Sequence, residues 1–389
     1  MKRISLFLLL FLLLKATVMY SQDGHPETNF RIVPVSPNAA SLGTYGLIPT
    51  DNYVGQARIS IPIYEIDLDG KKFPIALSYH TDGTRVAQEA TWIGLGWTLQ
   101  AGGCVVRQVQ GTDDFAARGC YNLTDAPWLT NPRFEVTDQN LEKYMGYFKG
   151  DYDAEPDMFY FNAGGHSGSM YFDVLKNNRQ LNAVPTIQTQ EKVVKMVYNT
   201  SNKTWTMTDL EGYVYSFSTK EITYYFLNTI DFFQTDITRS HIFPYYNEPQ
   251  IVTAWMLDSV TSPNGGKITF SYKKESIFTP ISTTEDVISL SKIVNGQLSS
   301  QSPQYFTNKF NYNYSYSKIE QWTLSAITFE GGKVEFGTTD REDIESAETG
   351  KKVQKLSSIK VSDTAGNLIK TTGKSSVSCP LKPSDSAPL

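Results

Sequence analysis

The feature that most constrains this chain is a regular alternation of apolar and polar residues on either side of glycine-containing turns. In Ala57-Arg-Ile-Ser-Ile-Pro-Ile63, residues Ile59, Ile61 and Ile63 fall on one face; beyond the turn Asp67-Leu-Asp-Gly70, residues Phe73, Ile75, Leu77 and Tyr79 alternate in the same way. A side chain on the same face at every second residue is the period of a strand, so two such runs about a short Gly loop predict a hairpin. The pattern recurs. Met158-Phe-Tyr-Phe-Asn162 and Ser169-Met-Tyr-Phe-Asp173 flank Ala163-Gly-Gly-His-Ser-Gly168, and Trp205-Thr-Met-Thr208 and Tyr213-Val-Tyr-Ser-Phe-Ser218 flank Asp209-Leu-Glu-Gly212.

Three later units echo one another. Leu257-Asp-Ser-Val-Thr261 precedes Asn264-Gly-Gly-Lys-Ile-Thr-Phe270, Leu324-Ser-Ala-Ile-Thr-Phe329 precedes Gly331-Gly-Lys-Val-Glu-Phe336, and Leu356-Ser-Ser-Ile-Lys-Val361 precedes Gly366-Asn-Leu-Ile369. Their unequal spacing excludes a fixed-period solenoid, but each reads as a hairpin able to stack edge to edge into a larger curved sheet. Residues 276–318, rich in Ser, Thr, Asn and Tyr, read as a long and partly irregular connection. One short helix is expected over Asp138–Lys149, capped by Thr137, with Leu141, Tyr144, Met145 and Phe148 on one face and Gly150 beyond its end.

Composition supports the same class. Aromatic residues make up 13% of the chain, and such side chains suit the half-buried surface of a sheet. A formal charge of −5 argues against nucleic acid as the natural partner, since binders of phosphate backbones present a basic face.

The first residues describe an export signal. Met1-Lys-Arg3 precedes the apolar run Ile4–Leu14, and small or polar residues follow by Ser21-Gln22. These eleven residues, broken only by Ser5, reach at about 1.5 Å each only half of a roughly 30 Å hydrocarbon core, so no stable membrane span is expected after cleavage. Losing Lys2, Arg3 and Lys15 leaves 32 basic residues against 40 acidic ones, a net charge of −8. Export permits disulfides among Cys104, Cys120 and Cys379, and Cys104 with Cys120 would close a short loop; two buried thiols that never pair are the alternative. The Cys residues and the four His (His25, His80, His166, His241) show no zinc spacing.

Several segments invite chemistry. Gly94-Leu-Gly96 followed by Leu99 lacks the third Gly of a dinucleotide loop and leads into the strand-like Cys104-Val-Val-Arg-Gln-Val109, so it reads as a bend beside Trp92 and Trp97. Asp151, Asp153, Glu155 and Asp157 resemble the start of a calcium loop, yet Pro156 stands where Gly is needed and Asn162 where Glu is needed; a solvated acidic turn is the other reading. Asp113 and Asp114 could join them as a glycosidase pair, which needs carboxyl groups roughly 5–10 Å apart across a cleft. Gly165-His-Ser-Gly168 lacks the spacing of a nucleophile elbow and reads as a turn. His80 has no evident titratable partner. No catalytic residue, cofactor site or metal set is assigned.

An ordered series of segments carries a resemblance. Asn38-Ala-Ala-Ser-Leu42, Ile61-Pro-Ile63, Pro74-Ile-Ala-Leu-Ser-Tyr-His80, Gly94-Leu-Gly-Trp-Thr-Leu-Gln-Ala-Gly-Gly103, Arg107 and Gly111-Thr-Asp-Asp114 follow in turn. Asp153-Ala-Glu-Pro-Asp-Met-Phe-Tyr-Phe-Asn162, Gly168 and Trp205–Phe217 continue it, over roughly residues 38–370. The series resembles the N-terminal region of large exported bacterial Rhs/YD-repeat proteins. That resemblance implies an all-β region preceding a shell of YD repeats, which in the family can enclose a C-terminal effector used in competition between cells. It carries no catalytic residues, and this chain contains no full Tyr-Asp-x-x-Gly-Arg repeat.

The expectation is thus an all-β protein of antiparallel sheets and hairpin units, sandwich or Rhs-shell-like, with one short helix. Its parts are a signal peptide (1–21), an extended lead-in (22–56), an N-terminal β-rich region (57–250), a hairpin repeat-like region (251–370) and a disordered tail (371–389). The function expected is a non-enzymatic structural or interaction module from the front of an exported Rhs-like protein of toxin-delivery type, at the cell surface, outside the cell or in the periplasm. Its partner would be protein: the remaining shell or the delivery apparatus. The alternatives are a carbohydrate-binding surface protein, whose aromatic residues would lie exposed together in a groove, and a glycoside hydrolase. The abrupt loss of alternation after Ile369 points to a fragment of a longer chain.

Overall fold

The computed structural model describes residues 34–39, 42, 58–80, 88–111, 113–116, 119–120, 141, 145, 153, 155–173, 184–188, 194–230, 250–289, 293–294, 297–298 and 308–373. The export signal, His80's side chain, Asp151 and Cys379 lie outside what is described. Antiparallel strands dominate. Strands β1 (Arg58–Leu68), β2 (Lys71–His80) and β3 (Trp97–Gln100) form a three-stranded sheet in that order.

A second sheet of fourteen strands holds most of the rest. Its strands are β4 (Gly103–Gln108), β5 (Met158–Ala163), β6 (His166–Tyr171), β7 (Thr186–Ile187), β8 (Val194–Asn199), β9 (Thr204–Asp209) and β10 (Val214–Ile230). They continue with β11 (Gln250–Thr261), β12 (Lys267–Phe278), β13 (Ser282–Ser289), β16 (Asn308–Phe329), β17 (Gly332–Asp340), β18 (Gln354–Ser362) and β19 (Leu368–Gly373). The short pair β14 (Ile293–Val294) and β15 (Gln297–Leu298) stands apart.

The predicted hairpins form. Ile61 faces Leu77 across β1–β2, Phe161 faces Gly168 across β5–β6, and Tyr215 faces Met207 across β9–β10. The three echoing units are the hairpins β11–β12, β16–β17 and β18–β19. Each pairs with the next, so the sheet runs β19, β18, β17, β16, β12, β11 as one edge-to-edge stack. The long strands β10 and β16 tie that stack to the N-terminal strands, with Ile222 opposite Glu320.

The core lies between the two sheets. Ile63, Ile66, Leu68, Ile75, Trp92 and Leu99 pack from one side against Val105, Phe159, Trp205, Tyr215, Trp255, Leu257, Ile268 and Val334 from the other. Phe159, Phe172, Tyr198, Trp205 and Trp255 pack ring against ring, with centroids 4.8 to 6.3 Å apart. Every Trp, Tyr and Phe whose side chain is described is buried or half-buried, which is what large apolar faces in water require.

Four expectations change. Ile59 and Ile61 do not share a buried face with Ile63: a bulge at Ile63 shifts the register between Pro62 and Tyr64, so Ile66 and Leu68 turn inward while Ile59 and Ile61 stay exposed. The lead-in is not wholly extended, because residues 37–39 and 42 are helical. Residues 282–289 and 308–318 are strand rather than irregular, since β13 and β16 supply each other's backbone partners whatever their side chains. Strand β19 runs to Gly373, three residues into the expected tail. Of the expected helix, Leu141 and Met145 are described; both are helical and exposed.

Candidate functional site

Three of the acidic residues singled out in the sequence, Asp113, Asp114 and Asp157, gather at one arginine. Strand β4 places Arg107 opposite Phe159 of β5, which brings its guanidinium beside Asp157 at the foot of β5. Arg107 Nε donates to Asp157 Oδ2 at 2.8 Å, and Nη2 donates to both Asp157 Oδ2 and Asp113 Oδ1. Asp157 also accepts the backbone N–H of Gln110 at 2.7 Å and of Asp114 at 3.2 Å. Asp114 Oδ2 in turn accepts the N–H of Asp157 at 2.9 Å. Arg107, Asp114 and Asp157 are sealed from solvent, and the guanidinium lies over the Phe115 ring, 4.8 Å from its centroid.

Burial sets the electrostatics here. It pushes Asp114 up to about 8, with the Asp157 charge adding to the rise, and leaves Asp114 Oδ1 without a hydrogen-bond partner. Burial also raises Asp157, against the pull of Arg107. One cation therefore faces several acids in a dry pocket, a state that favours keeping one proton on the pair. Asp153 packs its carboxylate against Gly111, while Glu155 is exposed. Among the described residues, no group of three or more His, Cys, Asp and Glu side chains is placed to hold a metal ion. In place of a calcium loop or a carboxylate pair across a cleft, the geometry is a clasp: Arg107 binds the 110–115 loop to β5.

A second ionic joint was not visible in the sequence. The turns of β1–β2, β5–β6 and β9–β10 meet where Lys71 Nζ donates to Asp209 Oδ2 at 2.5 Å and lies 2.9 Å from Glu211. Tyr215 Oη donates to the same Asp209 oxygen at 3.1 Å, His166 Nε2 lies 3.8 Å from it, and Tyr213 Oη donates to the Leu68 carbonyl at 3.0 Å. Burial alone would raise Asp209, but the Lys71 bond and the Tyr213 N–H hold it below the usual carboxylate range. His166 thus sits in a tight hairpin turn, with Gly164 and Gly165 at φ 59° and 85°. The Asp-x-x-Gly turn signal marked Asp209 as a turn residue; Lys71, 138 positions away, carried no such mark.

The Gly94-Leu-Gly-Trp segment is a third joint. Gly94 and Gly96 adopt φ 140° and 74°, and Thr91 Oγ1 spans the bend to the Trp97 carbonyl at 2.7 Å. The Trp92 N–H donates to Asn38 Oδ1 at 2.9 Å, the Trp92 carbonyl accepts from Leu356 N–H at 2.8 Å, and Arg341 donates to the carbonyls of Ala90 and Thr91. Cys104 and Cys120 are both free and buried. Burial pushes the Cys120 thiol up to about 12 and raises Cys104 further, so neither is a poised nucleophile.

No family model and no curated protein matches the chain. Among solved structures it is similar to parts of the TcdB2-TccC3-Cdc42 complex (11% identity, TM-score 0.32, 80% of this chain and 13% of that one). It is also similar to parts of TcdB2-TccC3-TEV (11%, 0.29, 88% and 14%) and of the Photorhabdus luminescens Tc holotoxin pore (9%, 0.33, 83% and 16%). The chain thus spans at most 16% of the length of these structures. Overlap this low leaves function to be argued from the chain's own residues.

Proposed function

We propose that this chain is a non-enzymatic structural and interaction module from the front of an exported, Rhs-like protein of toxin-delivery type, acting outside the inner membrane with protein partners. One observation carries the reading: the residues behind the Rhs resemblance serve as internal joints. Asn38, Arg107, Asp113, Asp114 and Asp157 bond to one another or clamp neighbouring segments, Asn38 through the Trp92 N–H. Side chains consumed in holding strands together fit a scaffold better than a catalytic cleft, where an acid or base must reach substrate. The rival sugar-binding reading needs aromatic faces exposed together, whereas the described ones are buried or half-buried.

The test is to translate the DNA downstream of this chain in all three frames, where Tyr-Asp-x-x-Gly-Arg repeats are expected, and to co-express the full chain with the polypeptide that carries them, followed by light scattering on the purified product. A stoichiometric complex is expected. Saturable binding to a polysaccharide panel, or hydrolysis abolished by Asp113→Asn or Asp157→Asn, would replace the scaffold with one of its rivals.

A further inference from the structure

We propose that residues 34–39, with Leu42, form an acid-latched strap, closed over the sheet while the Glu221 carboxyl is protonated and released when it ionises. The inference is independent of the Rhs-like reading. The strap packs on β4 and β11 and is held by single bonds to β10 and β5, besides those that join Asn38 to the Trp92 N–H and to Gln321. Thr223 Oγ1 donates to the Pro34 carbonyl at 2.9 Å, Ser36 N–H donates to Glu221 Oε1 at 2.7 Å, and Asn162 Nδ2 donates to the Leu42 carbonyl at 2.9 Å. Ser36 Oγ accepts the Ala39 N–H at 3.1 Å, capping the helical turn. Beneath it, fully buried Ala39 packs with Cys104, Val106, Ala254 and Met256.

Glu221 is sealed completely and is the acid that the strap's Ser36 reaches. Its Oε1 takes Ser36 N–H and, at 3.2 Å, Thr253 Oγ1, and the Ser36 hydroxyl bonds the carboxyl as well; among the described residues its Oε2 has no partner. Among the described residues, the elements around it bring no free cation. The strap, Pro34 to Leu42, contains no charged residue, and neither does Ile251–Met256 of β11. From β4 comes the Cys104 thiol, kept neutral by burial and by Glu221 itself. From β16 come Gln321, which is uncharged, and Glu320, whose partner is Lys274 at 2.7 Å. Lys220, next to Glu221 on β10, gives its ammonium to the Asn202 carbonyl at 2.6 Å.

An ionised carboxylate in such a site has neutral donors from Ser36 and Thr253 but no counter-charge, so ionisation draws water to Oε2. Burial accordingly raises Glu221 above the ordinary carboxylate range. The strands around it are locked by backbone ladders, whereas the strap is held by isolated bonds, so the strap is the element that yields. The closed state keeps a proton that the open, hydrated state loses above the ordinary Glu value of about 4.3. Closure therefore weakens as pH rises, at most tenfold per pH unit for one linked proton.

Hydrogen exchange on the full chain between pH 5 and 9, corrected for the intrinsic exchange rate, tests this at the amides of Ser36 and Ala39. Their protection should fall with pH by up to tenfold per unit, while the Val260 amide in the core stays protected. Glu221→Gln keeps the Oε1 acceptor and cannot ionise, so its strap protection should be flat. Protection independent of pH in the unaltered chain, or an equal pH slope in Glu221→Gln, would overturn the latch. Should Glu221→Gln fail to fold, Glu221→Leu takes its place: it cannot ionise and leaves the Ser36 Oγ acceptor of Ala39 intact, so Ala39 protection should not vary with pH while Val260 stays protected. A pH slope at Ala39 equal to that of the unaltered chain would overturn the proposal.

Discussion

Arg107 donates from Nε to Asp157 Oδ2 across 2.8 Å, and both side chains are shut away from solvent. Taking one partner from such a pair leaves an uncompensated buried charge, whereas replacing both by apolar groups of similar size can be nearly neutral. Arg107→Met should therefore lower stability by about 3–5 kcal/mol in urea unfolding. Adding Asp157→Leu should recover a large part of that loss. A double variant as unstable as the single one would show that Asp113 and the loop amides dominate the clasp.

The acids of this clasp also set a pH dependence. Asp114 sits near 8 in the folded chain, raised first by burial and then by the Asp157 charge, against an ordinary value of about 3.9 when unfolded. The folded state therefore binds the extra proton between these values, and stability contributed by this group falls as pH rises from about 4 to about 8, then levels off. Asp114→Asn removes the titration while keeping the acceptor for Asp157 N–H. Thermal melts across that range should show a shallower decline in the variant.

Two adjacent glycines separate backbone strain from crowding. A Cβ on Gly164 would lie 2.2 Å from Tyr215 Oη, whereas one on Gly165 meets nothing within 4 Å, and both have positive φ. Gly165→Ala should cost only the left-handed backbone term, about 1–2 kcal/mol. Gly164→Ala should cost more, because Tyr215 must move off Asp209. Equal losses in chemical denaturation would mean that the Tyr215–Asp209 bond contributes little.

Thiol chemistry gives a fourth check. Iodoacetamide applied to the folded chain at pH 8 should leave Cys104 and Cys120 unmodified, and both should react after unfolding without reductant. A Cys104–Cys120 cross-link in peptide maps would contradict the two free, buried thiols.

Local chemistry was legible because it is written in neighbouring residues. Alternation and turn glycines place β1–β2, β5–β6, β9–β10 and the three echoing hairpins, since strand period and positive φ are properties of a few consecutive residues. The bulge at Ile63 was not legible: it depends on which face the second sheet covers, and it left Ile59 and Ile61 outside despite perfect alternation. The same limit hid β13 and the first half of β16, where polar residues are strand because each supplies the other's backbone partners.

By itself, the order of residues determined that the chain would build antiparallel hairpins and where most would turn. It also marked Asp113, Asp114 and Asp157 as acids worth attention, without Arg107 as their partner. Only the tertiary structure decided what those acids do, because a carboxylate's role depends on the cation and the solvent that reach it. Asp157 is a buried clasp and Glu155 an exposed turn residue, although they stand two positions apart. Lys71 and Asp209, or Ser36 and Glu221, became partners for the same reason: pairing across more than a hundred residues is set by sheet order, which no local pattern encodes.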